Sequence, residues 1–232
     1  MPDSKTIHLH PTADLAERVL LPGDPGRALA LAQLLLEKPL MFNHHRGLWG
    51  YTGIATADGE LLTVQSTGMG GPSAAIVLHE LVALGAKRAI RVGTCGALNG
   101  ALTLGELLVA GEAIVADGTS RALGAGERIA GDAALTQALT KPPTRTPQTI
   151  VSTDLFYEPD ATREQTWREA GAVAVEMEAA TLFATARHLD IQAACLLTVT
   201  DLLAPQRRRI GEQALEQAAE TMGRLALAAL TP

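Results

Sequence analysis

The sequence predicts an α/β protein folded as one domain, and three observations carry that prediction. Leu61–Gln65 and Ala89–Val92 are short apolar runs of strand length, each followed by glycines, and the segment between them, opened by Pro72 and Ser73, has the length and apolar face of a helix. Parallel strands need a crossover of that kind, so 61–99 reads as a βαβ unit with both turns at one sheet edge. A further apolar run, Val19–Leu21, enters the turn PGDPGR, Pro22–Arg27, and then the helical pattern of Ala28–Leu36. Finally, 232 residues can bury a sizeable core.

The remaining elements follow in order. Thr6–Leu9 is short and β-like, placing His8 and His10 on one face. Phe42–Tyr51 is polar and aromatic; it precedes a hairpin turning at Ala57-Asp58-Gly59. Its adjacent His44 and His45 point to opposite sides of an extended chain, which argues against a metal pair. Leu107–Val115 is a strand. Thr119–Thr149, rich in Gly, Pro, Thr and Ala, reads as an excursion or lid with one helical stretch at Asp132–Thr140. Ile150–Thr153 is a strand opening into DLFYEPDATRE, followed by a helical Ala161–Ala170. Val173–Val175 passes into a helix, with Glu176 and Glu178 projecting to one side. Gln192–Thr200 is the last buried strand, closed by Asp201, and Ala214–Ala229 is a terminal amphipathic helix.

Composition narrows the function classes. A net charge of −6 disfavours a nucleic-acid backbone as partner, because that requires clustered cations, and only Arg207–Arg209 forms such a run. Cys95 and Cys195 lie in apolar strand contexts and suit reduced core thiols better than a disulfide or a metal set. No apolar run reaches the roughly 18 residues of a membrane span, and the polar N-terminus lacks a signal peptide's core. The expectation is a cytoplasmic protein with no metal.

The chemistry concentrates at strand ends. Glycines 68, 70 and 71 beside a helix N-terminus offer backbone N–H groups to an anion, and Arg91 enters the next turn from its strand. Arg27, Arg91, Glu178 and Asp201 each sit at such an end, where α/β sheets collect ligands.

LLPGDPGR, STGMGGPS, RVGTCGAL, DLFYEPD, VEMEAA and TVTD, in that order from Leu20 to Asp201, resemble the motifs of the nucleoside phosphorylase family, which includes hexameric purine nucleoside phosphorylases and uridine phosphorylases. The resemblance implies one domain over 1–232, built as a three-layer α/β/α sandwich around a mixed, twisted sheet, and a homo-oligomer, expected as a hexamer (trimer of dimers). It implies a phosphate site of Gly23, Arg27, Arg91 and Thr94, with Arg46 reaching in from a neighbouring subunit. Glu176, Met177, Glu178 and Met69 would meet the nucleoside, Glu178 accepting from the ribose hydroxyls. His8 of the neighbour would contact the 5′ hydroxyl, and Phe156 would stack on the base. No cofactor is implied, phosphate being a co-substrate. The reaction implied is reversible phosphorolysis of a nucleoside to free base and ribose 1-phosphate.

The base is read from finer matches. IHLHPT, GMGGPS and NHHR resemble the uridine branch, whereas DLFYEPD and Asp201 resemble the purine branch, in which the Asp protonates the leaving base. The Gln and Arg by which uridine enzymes read uracil are not matched by Arg163 and Gln165, whose order is reversed. Gly47 stands where the uridine branch has a Glu for a monovalent cation. Purine is therefore the expected base, with uridine phosphorylase as the alternative; a hydrolytic nucleosidase or a noncatalytic nucleoside-binding protein stands further off. Of the three arginines after Asp201, Arg208 is the expected partner in its proton transfer.

Overall fold

A computed structural model describes residues 6–231 except 161, 204 and 205. Its elements run β1 (Arg18–Leu21), α1 (Pro25–Leu35), β2 (Leu36–Asn43), β3 (Gly50–Ala55), β4 (Leu61–Gln65), α2 (Gly71–Leu84), β5 (Arg88–Ala97) and β6 (Leu107–Ala116). They continue through α3 (Gly118–Ala122), β7 (Arg128–Ala130), α4 (Ala133–Leu139), β8 (Gln148–Thr153), α5 (Arg163–Glu169), β9 (Ala174–Glu176), α6 (Ala179–His188), β10 (Gln192–Leu202), β11 (Arg208–Arg209) and α7 (Glu212–Leu230).

The result is a mixed α/β domain with one large sheet. β1 lies between β4 and β5, parallel to both, so the βαβ unit spans an intervening strand. Beyond β5 the sheet closes on itself: β5, β10, β6, β8 and β9 form a five-stranded ring. Two apolar layers cover the strands. Ala89 and Cys95 of β5 pack toward Val77 and Leu81 of α2 and Leu182 of α6, whereas Ile90 and Val92 face Leu31 of α1 and Met222 of α7. This is the period-two alternation of a strand buried on both faces.

Several boundaries differ from the sequence expectation. β5 runs on through Ala97, so Gly93 and Gly96 are strand residues where side chains crowd in, and Arg91 is mid-strand instead of at a strand end. Thr6–Leu9 forms no strand; backbone N–H groups of Ile7, His8 and Leu9 all donate to Glu80 of α2. β2 lies where the helical pattern ran out, and carries Pro39 at the sheet edge, where a missing donor is tolerated. The segment 119–149 is no lid: β7 pairs with β6, and Leu135 and Leu139 of α4 are buried in the α1/α7 layer. Ala161, placed at a helix start by composition, lies outside the described residues.

Candidate active site

A cavity of about 840 Å³ opens at the carboxyl ends of β1 and β10 and beside the middle of β5. At its deep end Arg27 sits in the first turn of α1, which Asp24 caps by accepting from the Arg27 N–H at 2.7 Å. Burial lowers the Arg27 pKa, the Arg91 charge adds to that, and Asp24 and Glu178 oppose both. Arg91 is 5% exposed. Its guanidinium lies over Gly93, where a Cβ would come within 2.7 Å of Cζ. Nε donates to Glu176 at 3.1 Å, and Nη2 donates to Glu178. Burial works against the Arg91 charge, yet Glu178 and then Glu176 outweigh it and hold the group above its ordinary range.

The two carboxylates, two residues apart as β9 ends, are held differently. Glu176 accepts from the backbone N–H of Glu178 at 2.8 Å and of Ala179 at 2.9 Å, and from the Ser152 hydroxyl. Negative charge is favoured at this α6 N-terminus. Burial pushes the Glu176 carboxyl up, Arg91 opposes the rise and Glu178 adds to it. Glu178 accepts from the Gly70 N–H. One N–H of the glycine turn of 68–71, expected to face an external anion, is thus taken by the chain's own carboxylate. Gly68 and Gly70 hold φ values of +73° and +83°, conformations that side-chain-bearing residues rarely adopt.

At the open end, Phe156 on the loop after β8 is 56% exposed, edge-on to Tyr157. The Arg207 guanidinium lies 5.3 Å from the Phe156 ring centroid. Asp201, by contrast, is buried. The β5–β10 register slips between Val199 and Asp201, which breaks the strand's alternation and re-aims the Asp201 side chain. Its Oδ1 lies 3.3 Å from Arg207 and 3.3 Å from Arg209, and Oδ2 accepts from Thr200 at 3.0 Å. Between the two ends, Met69, which is 86% exposed, and the half-buried Met177 line the wall beside Glu178.

Residues 17–231 match the family described as the phosphorylase superfamily. The chain belongs to this superfamily. It is 37% identical over 198 residues to a protein named purine nucleoside phosphorylase DeoD-type from Geobacillus kaustophilus (strain HTA426), covering 82% of this chain and 83% of the relative. It is also 37% identical over 205 residues to the protein of that name from Clostridium beijerinckii, covering 84% and 86%. The Clostridium perfringens protein of the same name is 33% identical over 207 residues, covering 86% and 87%.

In this superfamily member, Gly23, Arg27, Arg91, Thr94, Met69, Phe156, Glu176, Met177, Glu178 and Asp201 all line the one cavity. Arg208 does not. Opposite Asp201 in the β10–β11 pairing stands Arg209, and Arg208 stands opposite Leu202, so alternation turns Arg208 away and brings Arg207 and Arg209 in. That alternation was available in the sequence, but the hairpin that sets its phase was not. His8 and Arg46 also lie outside the cavity of their own chain: His8 Nδ1 bonds Glu80 at 2.7 Å, and Arg46 is exposed with a φ of +59°. Gln165 donates to Glu169, and Arg163 pairs with Glu158 at the rim; neither of the two lines the cavity. Cys95 and Cys195 are buried free thiols whose pKa values burial raises, which suits packing and not nucleophilic attack.

Proposed function

We propose that this chain is a pentosyltransferase that catalyses reversible phosphorolysis of purine nucleosides. One observation carries the reading: a single cavity has two inward guanidinium groups at one end, a buried aspartate beside two arginines at the other, and a carboxylate between them. The names of the relatives support the purine assignment, and so does the absence of Arg163 and Gln165 from the cavity lining.

In this reading phosphate is held by Arg27, Arg91, Thr94 and the backbone at Gly23, where charge-assisted bonds suit a dianion. Glu178 orients the ribose hydroxyls and Phe156 stacks the base. As the C1′–N9 bond breaks, a phosphate oxygen forms the new bond to C1′, facing the positive charge that develops on the sugar. The electron pair left on the base is met by a proton from Asp201 to N7, a general-acid contribution of roughly 10²–10⁴ in rate. Arg207 and Arg209 then stabilise the carboxylate that remains. Arg46 and His8 belong to a neighbour's site in a homo-oligomer, taken as a trimer of dimers.

Base release from inosine, adenosine and uridine, with and without inorganic phosphate, tests the reading. Release from the purines that requires phosphate is expected. Phosphate-independent release, or uridine as the preferred substrate, overturns it. Full activity in a demonstrated monomer would remove Arg46 and His8 from the site.

A further inference from the structure

Glu176 has the sequence context of a nucleoside contact, but its surroundings describe another task. Its side chain is only 1% exposed, and both carboxylate oxygens are spent on protein donors: the Ser152 hydroxyl, the N–H groups of Glu178 and Ala179, and Nε of Arg91. A carboxylate offers about four lone-pair sites, so little acceptor capacity is left for a sugar hydroxyl.

Arg91 is the group on which this arrangement acts. Its guanidinium is bounded on three sides: Gly93 supplies a floor with no Cβ, Glu176 takes Nε, and Glu178 takes Nη2. The remaining nitrogen, Nη1, points toward Gly23, lying 3.8 Å from where a Cβ on that residue would be. Gly23 stands at the turn that leads to Arg27, so Nη1 is presented to the anion end of the cavity. Glu176 is itself fixed by β8 through Ser152 and by the start of α6, which gives Arg91 a rigid reference.

Resting on the phosphorolysis reading, we infer that Glu176 is a positioning residue for phosphate: it aims Nη1 of Arg91 at the incoming anion and does not bind the nucleoside. Glu178 has an anchor of its own in the Gly70 N–H, so the sugar seat does not depend on Glu176.

The test is Glu176→Gln, which keeps the shape and one acceptor oxygen but removes the charge paired with Arg91. Direct calorimetric titration of inorganic phosphate reads the aim of Arg91 with no nucleoside present, and steady-state kinetics separates the two KM values. Weakening of phosphate binding by about 10-fold or more is expected, as for loss of one partner of a desolvated charge pair, with the nucleoside KM and the kcat at saturating phosphate within about twofold of wild type. Unchanged phosphate affinity overturns the inference, and so does a rise confined to the nucleoside KM. If Glu176→Gln does not fold, Ser152→Ala removes one anchor of Glu176 and is expected to weaken phosphate binding in the same direction by about threefold, in line with one lost hydrogen bond; no change there overturns it equally. Wild-type base release without phosphate would defeat the phosphorolysis reading alone, because the titration does not depend on turnover.

Discussion

The two ends of the cavity are built on opposite terms. At the anion end Arg91 is paired with Glu176 and Glu178, Glu178 with Gly70, and Glu176 with the start of α6. At the base end Phe156 and Tyr157 are largely exposed, and Arg207 and Arg209 reach Asp201 from a two-residue strand at the solvent edge. In the proposed reaction the anion end is thus tied together largely by protein contacts, whereas the base end keeps an open aromatic wall.

The largest effect is expected from Arg91→Ala. It leaves Glu176 and Glu178 buried without their cation, a change that typically destabilises by about 3–5 kcal/mol, and in the proposed reaction it also removes a phosphate ligand. Chemical denaturation together with a phosphate titration checks both; a variant as stable as wild type would mean that the anion end is less tightly built than its ion pairs indicate.

Asp201→Asn comes next. The change is isosteric and Asn cannot deliver a proton, so inosine cleavage should fall by roughly 10²-fold or more. Uridine, which has no N7, should be affected much less. The ratio of inosine to uridine rates in both proteins is the measurement, and an unchanged ratio would remove Asp201 from the chemistry.

Phe156→Ala sharpens the contrast from the open side. Loss of base stacking should weaken nucleoside binding by about 1–3 kcal/mol, while stability stays within about 0.5 kcal/mol of wild type because the ring covers no core. A large fall in melting temperature would mean that the loop belongs to the folded core.

The smallest effect concerns pH and the N-terminal arm. Burial raises the Glu80 carboxyl, but the N–H groups of Leu9, His8 and Ile7 and the His8 ring outweigh it, and the net pKa is lowered. A depressed carboxylate contributes stability that is present above its unfolded value, roughly 4.3, and lost as pH falls through the folded one. Protection of the amides of residues 7–9, taken relative to the intrinsic exchange rate at each pH, should therefore be high at neutral pH and fall on acidification below that window. Glu80→Gln should exchange faster at neutral pH and lose the pH response; retention of the response would assign it to another group.

Much of this molecule was legible from its amino acids. The strands β1, β4, β6 and β8 and the last helix announce themselves by apolar runs and by glycine or proline boundaries. Arg27, Glu178 and Asp201, singled out as charges at strand ends and turns, do line one cavity. What escaped depended on distant pairing. β5 overran its glycines where Gly93 makes room for Leu197 and Gly96 for Leu203, both far off along the chain. The side chains of Arg207 and Arg209 could be told from that of Arg208 only after β11 had found Asp201. The excursion at 119–149 reads as irregular because the helices its α4 packs with, α1 and α7, lie far off along the chain.

The ring of strands sets a gauge. β5 and β10 run side by side from Arg88 opposite Gln192 to Ala97 opposite Leu202, and they carry Arg91 and Asp201. Neither stave can slide without the shear passing through β6, β8 and β9 as well, so the span between these two positions is a property of the closed hoop. In the proposed reaction that hoop fixes the spacing between phosphate and proton donor, and leaves variation in the base to the loop bearing Phe156 and the approach to β11.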